Sequence, residues 1–491
     1  MLRTPENEIR GAEYGMYAPP VHKGCQAFVR AREWSFFMKQ MSKTEIVSVG
    51  LMMFSIFFGA GNLIFPPALG QSAGENLLPA MGGFLLTGIG LPLLGIVAIA
   101  LAGGDYVSFM GNRVSRKFAG IILGLLYLTI GPLFAVPRTG AVSFEIGIRP
   151  FLEWEQVTMG QGIYTAVFFL LTFWLALNPS KLVDRVGKTL TPALLLFLVV
   201  LFVKTFASPL GPIMEPQGIY QTVPFAQGFQ NGYLTMDLLA SLAVGTIVVQ
   251  AIKARGVTET HAVGRICFVS GLIAVVLMSL VYLSLSYLGA TSAARLGIAE
   301  NGAVILSKSA QVLFGTVGQS ILAAIIALAC LTTSCGMVSA FASHFYEALG
   351  HRVSYGRLVL YASVFGFAAS NIGLTELIRV SVPFLVALYP VIIVLVLLTM
   401  VDRFFGGSPM VYRGSLFLTT IFGIVSGLKT AGIDTSFVDD IFAHYLPLYD
   451  ANLGWILPAL LGAAAGGILA AVHHHGAAVE ENAAQKIESY R

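Results

Sequence analysis

Few side chains in this sequence are equipped to bind or react, and the best placed are mostly uncharged. Between Ser55 and Pro67 the run Ser-Ile-Phe-Phe-Gly-Ala-Gly-Asn-Leu-Ile-Phe-Pro-Pro sets two glycines two apart, then Asn62, then a Pro-Pro pair. Glycine tolerates backbone that leaves the helix, and each helix end so created exposes unpaired amides or carbonyls. Carbonyl oxygens and the Asn62 amide oxygen are hard ligands, suited to a small cation, and half-helix ends aim partial charges at the gap. The same small residues equally permit close helix packing. A second run, Thr235-Met236-Asp237-Leu238-Leu239-Ala240-Ser241-Leu242-Ala243-Val244-Gly245-Thr246, places an acid, a serine and a glycine in apolar sequence, and a break is expected near Ser241 and Gly245. A third, Ala329-Cys330-Leu331-Thr332-Thr333-Ser334, carries three consecutive hydroxyls. They can bond back to helix carbonyls or give oxygens to a dehydrated cation.

The elements that hold these windows must be membrane helices. The 491 residues are 56% apolar and only 11% charged, with mean hydropathy +0.79. A soluble domain carries about 25% charged residues, so this chain has too few to clothe a water-facing surface. A net charge of +4 on so apolar a chain also excludes wholesale disorder. The 53 glycines and 21 prolines fit membrane helices, where both are commoner than in soluble ones.

At about 20 apolar residues per span, about twelve spans are expected, near 46–69, 77–101, 119–145, 160–178, 189–208, 233–252, 262–289, 316–342, 355–373, 378–401, 414–430 and 451–472. The fold class is therefore an all-α polytopic membrane protein. Spans one and six head two blocks of five, about 46–208 and 233–401, each with a flexible site early in it. Their odd span number makes the blocks opposite in orientation, as in a five-plus-five inverted repeat, with two further helices over about 414–472. Most of the 29 basic residues fall on one side if both termini are cytoplasmic, as the positive-inside bias requires. Residues 1–41 are polar and aperiodic, and are expected to be either a disordered extension or a leader ahead of a start at Met41. The transporter-like body covers 42–472, and 473–491 form a cytoplasmic tail.

Arg138, Glu145 and Asp237 fall inside predicted spans. Each costs about 2.5–3.5 kcal/mol at the bilayer centre on insertion scales, so each is expected to have a partner or a task. Arg138 and Glu145 are seven residues apart, on one helix face, and read as an ion pair or gate latch. Asp237 reads as a gate residue, a proton carrier or an interfacial cap. Cys25, Cys267, Cys330 and Cys335 form no CxxC pair and read as small core residues. An enzyme is disfavoured: no HExxH occurs, and Gly187-Lys188-Thr189 ends like a phosphate loop but position 182 is leucine. No repeated filter loop or ring of charge points to a channel, and no basic domain is present to bind nucleic acid.

Three windows carry a resemblance: Gly50 to Gly70, Gly131-Pro132-Leu133-Phe134-Ala135-Val136-Pro137-Arg138-Thr139, and Gly232-Tyr233-Leu234-Thr235-Met236-Asp237. They resemble the bacterial branched-chain amino acid carriers, the BrnQ-type leucine/isoleucine/valine:cation symporters, and the resemblance runs from Met41 to about Val472. It implies uptake of leucine, isoleucine and valine across the inner membrane. The drive would be a sodium or proton gradient, with no cofactor beyond the co-transported ion and no obligate protein partner. The absence of a mid-span lysine that would replace a cation favours sodium.

More distantly, the same windows are similar to sodium-coupled transporters of the LeuT fold, whose first span breaks at Gly-x-Gly-Asn and ends in Phe-Pro. That similarity implies a first cation site at the Phe57 carbonyl and Asn62. It implies a second at the Ser55, Phe58 and Ala329 carbonyls with the Thr332 and Thr333 hydroxyls. Substrate would meet the Gly59 and Gly61 backbone, Ser241, Val244 and Tyr127. This sequence departs from the pattern at Val244 (an aromatic lid there), Ala243 (a glycine) and Leu239 (a threonine), which leaves the first cation site short of a ligand. One methylene is worth about 0.8 kcal/mol on burial, too little for sequence to separate leucine from isoleucine or valine.

Overall fold

The structure, a computed structural model, describes residues 41–177, 182–449 and 451–488. Apart from Met41, the expected N-terminal extension lies outside the described residues. Those described are overwhelmingly helical and contain no strand, as expected of a chain whose backbone polar groups must be satisfied without water. The chain divides into Met1–Glu45 and Ile46–Arg491. In the first unit Ser42 and Glu45 form a capping box: the Glu45 amide donates to Ser42 Oγ at 3.2 Å and the Ser42 amide to Glu45 Oε2 at 2.7 Å.

In chain order the helices are α1 Lys43–Phe57, α2 Ala60–Ala73, α3 Leu77–Leu85, α4 Leu91–Leu101, α5 Tyr106–Arg113, α6 Arg116–Leu128, α7 Ala135–Gly147, α8 Val157–Ala176 and α9 Leu182–Ala207. There follow α10 Pro224–Asn231, α11 Asp237–Lys253, α12 Thr260–Leu296, α13 Gly302–Ala348, α14 Tyr355–Ser370, α15 Leu374–Met400, α16 Pro409–Thr430, α17 Ser436–Tyr445 and α18 Ile456–Glu488. Among the described residues, 7 helical stretches are long and apolar enough to cross a bilayer, and up to 8 if the bent pair Pro224–Thr235 with Asp237–Lys253 is one span. One of them, Ala60–Leu101, joins α2 to α3 and α4 through a turn at Gly74, φ 49°. Leu195–Ala207 and Ile456–Val472 are shorter apolar helices.

Helices approach closely where glycine removes a side chain. A methyl on Gly70 would lie 1.9 Å from the Ser286 carbonyl oxygen, and one on Gly289 2.0 Å from that of Pro67, so α2 runs against α12 almost backbone to backbone. Gly83 and Gly228 do the same for α3 and α10. Packing of this kind needs small residues rather than a hydrophobic driving force.

Three predicted spans differ from expectation. Span six does not break at Gly245: α11 runs unbroken through it, and the helix instead breaks at Met236, φ 61° and ψ 14°, with a 46° bend between its halves. Gly245 serves packing, since a methyl there would fall 2.7 Å from Ile99 Cδ1 on α4. Span three, read as continuous, is interrupted at Gly131, φ −91° and ψ −125°, beside Pro132, because proline cannot supply the helix amide. Span eight extends back to Gly302 through a kink at Gly315, φ 69°. The expected break of span one is present: α1 ends at Phe57 and α2 begins at Ala60.

Candidate functional site

The site is built on the breaks of spans one and six. At the first, the Phe58 amide still donates to the Phe54 carbonyl at 2.8 Å, Gly59 is extended at φ −124° and ψ −173°, and the Asn62 amide donates to the Gly59 carbonyl at 3.2 Å. The Ser55 and Phe57 carbonyls, in the last turn of α1, are thereby freed from the helix ladder. A methyl placed on Gly59 would lie 3.6 Å from Thr333 Cγ2, 3.9 Å from Asn62 Oδ1 and 3.9 Å from the Phe57 carbonyl oxygen. The two oxygens of the first expected cation site, Asn62 Oδ1 and the Phe57 carbonyl, therefore meet around Gly59 with the methyl group of Thr333 from the second. On α13 the Thr332 and Thr333 hydroxyls both donate to the Ala329 carbonyl at 2.9 Å, so Ala329, Thr332 and Thr333 form one cluster of oxygens. The Ser55 side chain is exposed, while Phe57 and Phe58 are buried, with the Phe58 ring stacked on Phe54 at 5.1 Å.

Asn62 joins the two breaks. It is 1% exposed, and its Nδ2 donates to Asp237 Oδ2 at 2.8 Å and to the Tyr282 hydroxyl at 2.5 Å. Tyr282, on α12, donates to the same carboxylate oxygen at 3.2 Å. Asp237 is 4% exposed and opens α11, where the helix N-terminus favours a negative charge.

Arg138 on α7 serves the same junction. Its Nη1 donates to the Leu234 carbonyl at 2.7 Å, its guanidinium lies 5.0 Å from the centre of the Phe65 ring, and its Nη2 would be 3.1 Å from a methyl on Gly61. Arg138 and Glu145 do not form the expected pair. Glu145 bonds Arg149 instead, one turn further on, because shared helix-face spacing brings a nearer base into reach.

The remaining predicted residues are placed as follows. The Tyr127 hydroxyl donates to the Ala243 carbonyl at 3.1 Å, and its ring stacks on His344 at 4.0 Å, which ties spans three, six and eight. Ser241 is buried against Gly95 of α4, and its hydroxyl donates to Leu238 at 2.7 Å; Val244 is half-buried. Neither lies at the Met236 break. Sequence reasoning missed Tyr282, the Leu234 carbonyl and His344. A tyrosine inside an otherwise apolar span was the available signal for the first; a carbonyl acceptor has none. Cys267, Cys330 and Cys335 are buried free thiols, as read.

The fold defines a polytopic helical membrane protein. Mhp1, described as a nucleobase-cation-symport-1 family transporter in a closed conformation with bromovinylhydantoin bound, matches with a TM-score of 0.52 at 12% identity, over 86% of this chain and 91% of that one. That likeness extends to the fold. A profile of the family described as branched-chain amino acid transport protein matches residues 42–473, and the chain belongs to that family. It is 45% identical to the branched-chain amino acid permease BrnQ of Bacillus subtilis over 424 residues, 86% of this chain and 96% of that one. It is also 45% identical to the branched-chain amino acid transport system 2 carrier protein of Pseudomonas aeruginosa, over 86% and 95% of the two chains. To BrnQ of Escherichia coli K12 it is 40% identical, over 86% and 94%.

Proposed function

We propose that this chain is a secondary active symporter that takes up leucine, isoleucine and valine across the bacterial inner membrane, driven by a sodium gradient, with both termini cytoplasmic. The observation that supports the coupling is the meeting of Asn62 Oδ1 and the Phe57 carbonyl at Gly59 with the Thr333 side chain, whose hydroxyl bonds the Ala329 carbonyl. The amide and carbonyl oxygens among them are neutral hard ligands, the type a dehydrated alkali cation takes. The names of the relatives supply the substrate class. In the cycle, sodium binding draws α1, α2 and α13 together, the amino acid joins at the breaks, and the broken spans rock against the rest. Cation and substrate then raise each other's affinity by the same factor.

A second reading, proton coupling, is favoured by Asp237, a buried acid bonded to Asn62 of the other break. The test is uptake of labelled leucine by proteoliposomes under imposed sodium or proton gradients. Accumulation with sodium alone is expected. Accumulation with a proton gradient alone moves the coupling to the second reading, and uptake that ignores both gradients overturns symport.

A further inference from the structure

Arg138 and Asp237 are 5% and 4% exposed and serve the same helix break, yet they do not pair with each other. Ion pairs within 4.0 Å join Arg113 to Asp402, Arg149 to Glu145, Arg379 to Glu376 and Lys429 to Asp439, and Arg138 and Asp237 are not joined in this way. Arg138 is held by the Leu234 carbonyl and the Phe65 face, three residues ahead of Asp237; Asp237 is held by Asn62 and Tyr282. Each charge keeps neutral partners although an opposite charge serves the same junction. Opposite charges attract strongly in a low-dielectric interior, so two buried charges anchored apart would each be stabilised by a complementary charge brought to them. Arg138 Nη2 also lies against Gly61, where a methyl would come within 3.1 Å, so the guanidinium rests directly on the backbone of the first break.

We propose that Arg138 and Asp237 form a split ion pair which the substrate closes, its α-carboxylate on the guanidinium and its α-ammonium on the Asp237 carboxylate. The inference rests on the amino acid carrier reading and adds to it the residues that select for a zwitterion. A carboxylate can accept at about four lone-pair positions, so Asp237 can take an ammonium while keeping Asn62 and Tyr282. Hydrogen bonds between ionised partners are roughly twice as strong as neutral ones. An analogue lacking one charged group leaves a buried charge without its complement, which a site of this kind rejects.

The experiment uses the full chain in detergent and reads the concentration of leucine, leucinol or 4-methylpentanoate that half-maximally stabilises it against thermal unfolding. Leucinol lacks the carboxylate, and 4-methylpentanoate lacks the ammonium. In the wild type both are expected to bind at least about tenfold more weakly than leucine. Arg138→Gln should bring leucine down to the level of leucinol while leaving leucinol unchanged, and Asp237→Asn should do the same relative to 4-methylpentanoate. Arg138→Lys keeps the charge without the planar fork and should narrow the leucine-to-leucinol ratio in part, which preserves the test if the glutamine variant does not fold. Variants that weaken all three ligands by one factor, or leave the ratios intact, overturn the split pair. A wild type that binds no leucine defeats the carrier reading instead, whereas one that binds leucine and leucinol alike defeats only this inference.

Discussion

The two broken helices solve one problem with different materials. At the first break the chain leaves the helix through Phe58 and an extended Gly59, and the groups gathered there, Asn62 Oδ1, the Phe57 carbonyl and the Thr333 side chain, are neutral. At the second, Met236 adopts the left-handed conformation that costs an ordinary side chain about 1–2 kcal/mol, and the groups gathered there include Arg138 and Asp237. Strain at an L-residue persists only where the surroundings over-determine it, and here Met236 is 2% exposed, between the turn bonded by Arg138 and the acid bonded by Asn62. The first break is a property of local sequence; the second is imposed by tertiary contacts.

Asn62 is where the comparison is easiest to break, because it belongs to both sides. Asn62→Ala should cost about 3 kcal/mol of stability, since a buried carboxylate loses a donor that water cannot replace. Thermal unfolding of the purified chain measures this. Leucine uptake should fall with it and should not recover at saturating sodium. Recovery with sodium would mean that Asn62 acts only as a cation ligand, and the two breaks would then be independent.

The next effect in size concerns where span six opens. Met236→Val puts a β-branched residue at positive φ, which is a genuine outlier, and should lower stability by about 2 kcal/mol and alter the sodium dependence of uptake. Gly245→Ala overlaps the tip of Ile99 and makes ordinary contact with Ile96; it should cost about 1 kcal/mol of packing strain and leave the sodium dependence unchanged. The opposite outcome would return the break to Gly245.

That contrast also shows how much could be read from residues. The all-helical membrane fold and the first break were legible, because apolar run length and a Gly-x-Gly-Asn sequence are local signals. Gly245 misled because glycine in a membrane helix more often lets a neighbour approach than unwinds it, and only the position of Ile99 decides which. Arg138 and Glu145 share a helix face, but a face does not name a partner, and Arg149 was nearer to Glu145. Tyr282 reaches Asn62 across 220 residues, a pairing that periodicity along the chain does not encode. The interruption at Gly131 and Pro132 had a local signal, although it lay in a span whose apolar length was sufficient by itself.

The smallest expected effect separates the oxygens of the first break from one another. Thr332 and Thr333 both donate to the Ala329 carbonyl, so losing either hydroxyl leaves that carbonyl bonded, and stability should change by no more than about 0.5 kcal/mol. Of the two, Thr333 is the one whose side chain reaches Gly59, its Cγ2 lying 3.6 Å from the methyl position there. Thr333→Ala should therefore raise the sodium concentration for half-maximal uptake about fivefold, the worth of roughly one hydrogen bond of 1 kcal/mol, and Thr332→Ala should raise it less. Gly59→Ala should resemble Thr333→Ala: the extended backbone accepts alanine, and its methyl makes ordinary contacts but occupies the space where Thr333, Asn62 Oδ1 and the Phe57 carbonyl meet. If all three substitutions leave the half-maximal sodium concentration unchanged while unfolding stays normal, the oxygens of the first break only pack, and the coupling ion belongs with the charges of the second.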